Sequence, residues 1–319
     1  MAFRFASLRD ACGVSANVLP SPAKINLFLA VTGRRADGFH DLVSVVAPLA
    51  WGDMLRIEAV EAGGGGAGDF TLTCDDPVVP VDETNLVLKA ARAFQEASNW
   101  KGGAQFHLEK RIPMGAGLGG GSSNGVAALR GLNAVAGEPL SRDALLALAS
   151  RMGSDCALFF QDGPVIMRGR GERVEALPAG VAARVSGQRV LLFKPSFGVS
   201  TPWAYARLAA MAGKAVGNAT VYLPAVEAEA RLTAWLQNPR APLGSLFFNN
   251  MEQAAFAKFV ALPTLLAELQ AGFGLAPRMS GSGSACFALL PADAPVAAIT
   301  AAIRAAWGPD AFVVETTLA

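Results

Sequence analysis

The chain has 319 residues, of which 52% are apolar and 17% charged, and its formal net charge is +1. That length suits two cores rather than one, and the apolar share excludes a disordered chain. Near-zero charge argues against a nucleic-acid binder, and no apolar run reaches the roughly 18 residues of a membrane span. The first twenty residues carry Arg4, Arg9 and Asp10 and do not read as a secretory signal. The 4 cysteines are scattered, so free thiols in a reducing compartment, the cytoplasm, are expected. With 2 histidines, His40 and His107, a multi-histidine zinc site is out of reach and no metal ligands are assigned.

From the N-terminus the first half is strand-led. Ile25, Leu27, Leu29 and Val31 alternate with Lys24, Asn26, Phe28 and Ala30, which predicts a strand with Lys24 and Asn26 on one face. Further strands are predicted around 43–46 and 54–60. The glycine cluster 63–66 reads as a flexible hairpin loop. A helix is expected over 85–97, with Thr84 able to cap it. Phe106, Leu108, Lys110 and Ile112 alternate as in a strand, and a helix is expected over 124–133. Ser141 caps a helix through Met152, with Gly153 as its stop and Leu145, Leu146, Leu148 and Met152 as its buried stripe. Strands follow at 165–168 and 190–193. The stretch 178–187 carries no pattern, and a domain boundary is placed there, giving domains 1–180 and 181–319. The second half mixes helices (203–211, 225–236, 262–271, 294–307) with strands (285–290, 311–315). The class is α+β.

The most informative stretch is Pro113-Met114-Gly115-Ala116-Gly117-Leu118-Gly119-Gly120-Gly121-Ser122-Ser123, in which five of the seven residues from Gly115 to Gly121 are glycine. Such a loop between a strand and a helix start turns backbone N–H groups inward, and the helix dipole adds positive potential. A nucleotide phosphate chain is the expected guest. Gly115, Gly117 and Gly120 match a dinucleotide-binding spacing, but Glu138, at the right distance for its acid, lies in a turn. No protein-kinase motifs follow, and the loop ends without the Gly-Lys-Ser/Thr of a Walker loop. A ligand-free glycine turn is the bland alternative, weakened by the entropy needed to order five glycines.

This loop resembles the ATP-phosphate motif of the GHMP kinases, which phosphorylate small-molecule alcohols. Ser21-Pro22-Ala23-Lys24-Ile25-Asn26-Leu27, and Thr32-Gly33-Arg34-Arg35-Ala36-Asp37-Gly38-Phe39-His40, are similar to the N-terminal signature of one branch of that family. Met279-Ser280-Gly281-Ser282-Gly283-Ser284-Ala285 resembles its third motif. The branch phosphorylates the 2-hydroxyl of a cytidine-diphosphate polyol on the non-mevalonate route to isoprenoids.

The resemblance implies a two-domain GHMP kinase fold: an N-terminal ATP-binding and catalytic domain like ribosomal protein S5, and a ferredoxin-like α+β domain on the substrate side. It implies ATP as co-substrate with Mg²⁺, a small-molecule substrate, and no nucleic-acid or membrane partner; the chain is expected to be a monomer or weak homodimer. Phosphoryl transfer is mostly positioning and charge neutralisation. Lys24 becomes the expected catalytic cation, where a snorkelling edge lysine is the plain alternative. Asp155, in Gly153-Ser154-Asp155-Cys156, becomes the expected base, where a helix cap is the alternative. The two are expected within roughly 3–4 Å of each other.

On the nucleotide side the resemblance implies Asn85 together with residues 113–123, with Ser122 and Ser123 serving phosphate or Mg²⁺. On the substrate side it implies Asn26, Phe39, His40, Thr201, Tyr205, Gly281, Ser282 and Gly283, with His40 holding the base and Tyr205 stacking on it. For Tyr205 a core residue on a helix face is an equal alternative. The chain departs from the pattern at Asn124, where Asp is usual, at Phe39 for Tyr, at Val46 for an aromatic, and around Asp155. Two other readings stay open: a GHMP kinase for another alcohol, such as homoserine or mevalonate, and a catalytically silent nucleotide sensor on the same fold.

Overall fold

The computed structural model describes residues 6–9, 15–61, 68–213 and 221–319. In chain order the strands are β1 (Ala6–Arg9), β2 (Ser15–Arg34), β3 (His40–Val60), β4 (Phe70–Cys74), β5 (Gly103–Glu109), β6 (Val165–Gly169), β7 (Arg173–Ala176), β8 (Arg189–Lys194), β9 (Phe248–Asn249), β10 (Arg278–Met279), β11 (Cys286–Leu289) and β12 (Phe312–Thr317). The helices are α1 (Leu86–Ser98), α2 (Gly120–Val135), α3 (Arg142–Met152), α4 (Ala179–Val185), α5 (Thr201–Ala212), α6 (Ala225–Gln237), α7 (Met251–Phe256), α8 (Ala261–Phe273) and α9 (Val296–Trp307). The chain forms two compact units, each built from three stretches of sequence. The first comprises Met1–Ala23, Trp51–Pro113 and Gly119–Asp162, and the second Lys24–Ala50, Met114–Leu118 and Gly163–Ala319.

In the first unit the later half of β3 pairs antiparallel with β5, and β5 pairs parallel with β4. A parallel pair needs a crossover, and α1 supplies it between β4 and β5. This changes one expectation. The glycine cluster 63–66 lies outside the described residues, but β3 and β4 are not hairpin partners, because β5 lies between them. A second expectation also changes: the two strands read at 43–46 and 54–60 are one strand, β3. Gly52 lies within it, where a Cβ would stand 2.2 Å from the Ser21 carbonyl oxygen. Glycine there permits a close backbone approach and does not make a turn. Phe70, Leu72, Phe94, Phe106, Leu108, Ile57 and Leu129 are among the buried side chains of this unit.

Helix starts follow local capping. The Asn85 side chain accepts from Val87 N at 2.9 Å and caps α1, whereas Thr84 bonds Asp82 instead. Ser141 caps α3 as read, and Leu145, Leu148 and Ala149 are the side chains α3 buries, while Leu146 and Met152 are half-buried. Helix α2 begins at Gly120, before the expected residue 124. The stretch 178–187, read as patternless, contains α4, opened by Pro178.

In the second unit the early half of β3 pairs with β6, β6 with β7, and β2 with the short parallel strand β9. A separate antiparallel sheet has the order β10-β11-β8-β12. Leu191, Phe193, Leu208, Leu265, Leu269, Ile299 and Ile303 are buried together against it. No helix among the described residues is long and apolar enough to cross a membrane. Cys74, Cys156 and Cys286 are free thiols, in line with the expectation, whereas Cys12 lies outside the described residues.

Candidate active site

Both units carry residues singled out from sequence. In the second unit Lys24 stands on β2 and is 4% exposed. A buried ammonium needs a partner, and Lys24 Nζ donates to Asn26 Oδ1 at 2.7 Å. The alternation of β2 puts both on one face, as read. Asn26 Nδ2 donates to Ser44 Oγ at 2.9 Å, and Ser44 Oγ donates to the Phe28 carbonyl at 2.6 Å. Asn26 N donates to Ser280 Oγ at 3.3 Å. The lysine is thus held by a chain of oriented polar groups, of which Ser44 gave no signal in the sequence and Ser280 lies in the third motif.

The loop segment 114–118 is braced from behind by the third motif. Ser280 Oγ donates to the Gly117 carbonyl at 3.2 Å, Ala285 N to the Ala116 carbonyl at 3.1 Å, and Lys24 N to the Leu118 carbonyl at 2.9 Å. Gly117 has φ +75°, and a Cβ there would stand 2.3 Å from the Ser280 carbonyl oxygen. Only glycine fits both conditions. Gly117→Ala is expected to cost about 1–3 kcal/mol of backbone strain and to displace the loop. Its KM for ATP should rise at least about tenfold, the equivalent of 1.4 kcal/mol. Steady-state kinetics alongside a thermal melt check this, and an unchanged KM for ATP would disprove the tight packing assigned to the loop.

Also in the second unit, His40 is 8% exposed and packs against two tyrosines. The Tyr205 ring lies 5.0 Å away and the Tyr222 ring 5.8 Å away, centroid to centroid. His40 Nε2 and Tyr222 Oη are 3.2 Å apart. Burial pulls the His40 pKa below its ordinary value, and Arg34 adds to the effect. Phe39 is 52% exposed, with the Arg170 guanidinium 4.7 Å above its ring. Thr201 Oγ1 and Ser282 Oγ, from α5 and the third motif, are 2.8 Å apart. Tyr222 and Arg170 were missed from the sequence; Tyr222 lies in no recognised motif.

In the first unit Gly119 takes φ +73° and turns the chain into α2. Ser123, in the first turn of α2, is 2% exposed, and its Oγ has no hydrogen-bond partner among the described residues. The Ser122 side chain bonds Cys156, beside Asp155, so the expected base lies on a segment that touches the first turn of α2. Burial raises the Cys156 thiol to about 11, which leaves it protonated and unreactive at neutral pH. Asp155 is not a helix cap, since Cys156 occupies that place.

The approach to the loop is fixed by a buried carboxylate that the sequence did not disclose. Asp53 Oδ1 accepts from Arg111 N and Ile112 N, both at 2.7 Å, and Oδ2 from Lys110 Nζ at 2.6 Å and Asn124 Nδ2 at 2.9 Å. Asn124 Nδ2 also donates to Ser21 Oγ at 2.7 Å. An amide at position 124 therefore serves as donor to a carboxylate. Lys110, Arg111 and Ile112 are held in this way beyond the end of β5, where a continued strand was expected. Asn85 uses both ends of its amide locally, capping α1 and donating to the Pro80 carbonyl at 2.7 Å.

Comparison with known proteins sorts these clusters. The GHMP kinases N terminal domain model matches residues 85–166, and the GHMP kinases C terminal model matches residues 234–309. A 4-diphosphocytidyl-2-C-methyl-D-erythritol kinase from Synechococcus sp. (strain CC9902) is 39% identical over 272 residues, covering 84% of this chain and 86% of the relative. The chain belongs to the GHMP kinase family. A crystal structure of 4-(cytidine 5'-diphospho)-2C-methyl-D-erythritol kinase superposes with a TM-score of 0.71 at 33% identity, covering 95% of this chain and 99% of that one. Homoserine kinase from Cytophaga hutchinsonii shares the fold, at 21% identity and a TM-score of 0.62. The expected GHMP kinase fold and α+β class therefore hold, with the glycine loop and Asp155 inside the span of the N-terminal model.

Proposed function

We propose that this GHMP kinase transfers the γ-phosphoryl group of ATP to the 2-hydroxyl of 4-diphosphocytidyl-2-C-methyl-D-erythritol, on the non-mevalonate route to isoprenoids. The meeting of His40 with Tyr205 and Tyr222 carries the choice of a cytidine substrate: a ring nitrogen beside two aromatic rings suits a nucleobase. In this reading Asp155 takes the proton of the acceptor hydroxyl and Lys24 steadies the transferring group. Asn26, Thr201, Gly281, Ser282 and Gly283 orient the polyol. Phe39, His40 and Tyr205 take the base, with the Arg170 guanidinium over Phe39 adding positive charge near a diphosphate. Residues 113–123 hold the triphosphate, with Asn85 on the nucleotide side.

No cluster of three acidic, histidine or cysteine side chains that could hold a metal ion occurs among the described residues. The unpartnered Ser123 Oγ nevertheless suits an oxygen ligand or phosphate contact. Ser123, with Ser122, would hold Mg²⁺, which when bound neutralises phosphate charge. The division into domains 1–180 and 181–319, cytoplasmic location and a monomeric or weakly dimeric state belong to the same proposal.

A coupled ADP-release assay with the cytidine-diphosphate polyol, homoserine and mevalonate tests it. Turnover is expected with the first alone, and preference for either of the others overturns the reading. The pH profile sharpens the test. The folded-state pKa of His40 lies below its ordinary 6.5, so its neutral form is the one favoured by the fold. The stability it contributes is present above the unfolded pKa and is lost as pH falls through the folded one. The KM for the cytidine substrate should therefore rise only on the acid side of 6.5, and His40→Gln should abolish that limb.

A further inference from the structure

The chain has 2 tyrosines, and both pack on one of its 2 histidines. Tyr205 comes from α5. Tyr222 comes from the segment leading to α6, 182 residues from its histidine partner. That segment is anchored with some care. The buried Asn250 accepts from Val31 N at 2.9 Å and donates to the Val31 carbonyl at 2.8 Å and to the Val221 carbonyl at 3.1 Å. Leu223 N donates to the same Val31 carbonyl at 3.2 Å. One side-chain amide thus ties the residue before Tyr222 to strand β2, whose chain runs on from Lys24 and Asn26. Burial raises the Tyr222 phenol pKa, which keeps its proton in place at neutral pH.

Resting on the cytidine-kinase reading, we propose that Tyr222 is a positioning residue: its hydroxyl donates to His40 Nε2, fixes the histidine tautomer, and leaves Nδ1–H as the donor offered to the substrate base. A neutral imidazole carries one proton, and the partner of one ring nitrogen decides where that proton sits. A phenol donating to Nε2 puts it on Nδ1. Cytosine presents an acceptor at N3, whereas uracil presents an N–H there. A histidine locked as an Nδ1–H donor therefore accepts cytosine and leaves uracil with two opposed donors, a mismatch that is costly in a buried site. Tyr222 acts through His40 and need not touch the substrate.

The test uses the full-length Tyr222→Phe enzyme, which keeps the ring and removes only the hydroxyl. Its KM for the cytidine substrate should rise about five- to tenfold, in keeping with one lost hydrogen bond of about 1 kcal/mol. Its KM for ATP and its kcat should stay within about twofold of the parent. Discrimination against the uridine-diphosphate analogue should fall. In the unliganded protein, the ¹⁵N signals of His40 should report a single Nδ1–H tautomer in the parent and a mixture in Tyr222→Phe. Identical His40 signals in the two proteins, or an unshifted KM for the cytidine substrate where His40→Gln raises it, overturn the inference. If His40→Gln leaves that KM and base discrimination at parental values, the cytidine reading itself fails, and the assignment of Tyr222 to base recognition falls with it.

Discussion

Asp155→Asn should lower kcat by about 100- to 10,000-fold, the range for losing a positioned general base, with the KM for ATP little changed. The substitution keeps shape and hydrogen-bonding capacity and removes only the ability to take a proton. Lys24→Met is the companion change. It removes the ammonium that Asn26 Oδ1 accepts from at 2.7 Å while filling the same buried volume. A loss of similar size is expected, because developing charge on the transferring group would lack its counter-charge. The two effects should not add, since both groups are assigned to one proton-and-phosphoryl event. Single-turnover measurements separate chemistry from release. Parent-like turnover in either variant would remove that residue from the mechanism.

The largest expected stability change lies away from the chemistry. Asp53→Ala should destabilise the protein by about 3–5 kcal/mol, the cost of leaving a buried ion-pair partner uncompensated. Asp53 is 1% exposed, and its ion-pair partner Lys110 is nearly as buried. Without the carboxylate, Lys110 Nζ loses its counter-ion, and the N–H groups of Arg111 and Ile112 lose their acceptor just before the glycine loop. Such a loss is a large part of a typical folding free energy of about 5–15 kcal/mol. Denaturant unfolding measures it, and the KM for ATP should rise in parallel because the loop loses its fixed approach. The double variant Asp53→Leu, Lys110→Met should recover only the part due to the uncompensated ammonium, because the N–H groups of Arg111 and Ile112 still lack their acceptor. An Asp53→Ala protein within 1 kcal/mol of the parent, below that expected range, would show that water or rearrangement satisfies the cluster.

Much of the site was legible because its signals are local. Five glycines in seven residues predict a backbone cradle at whatever point the fold places them. The alternation in β2 predicts that Lys24 and Asn26 share a face, and the structure pairs them. Ser141 and Gly153 delimit α3 because caps act within a few residues. The errors share a cause as well. The long strand β3 reads as two in the sequence, whereas the chain runs on through Gly52, whose missing Cβ answers the close passage of Ser21 on the neighbouring strand β2. The hairpin between β3 and β4 failed because the crossover through α1 places β5 between them.

By itself the amino-acid order determined the class of the fold, the glycine-rich loop and the family-like positions of Lys24, His40 and Asp155. All of these are written in runs of fewer than a dozen residues. Only the tertiary structure decided that Asp53 would hold Lys110, ahead of the loop, across 57 residues, that Ser280 would brace Gly117 across 163, and that Tyr222 would meet His40 across 182. Asp53 and Tyr222 carry no motif, and the motif that holds Ser280 does not name its partner: a polar side chain becomes obligatory only once packing has removed water from the group it must satisfy.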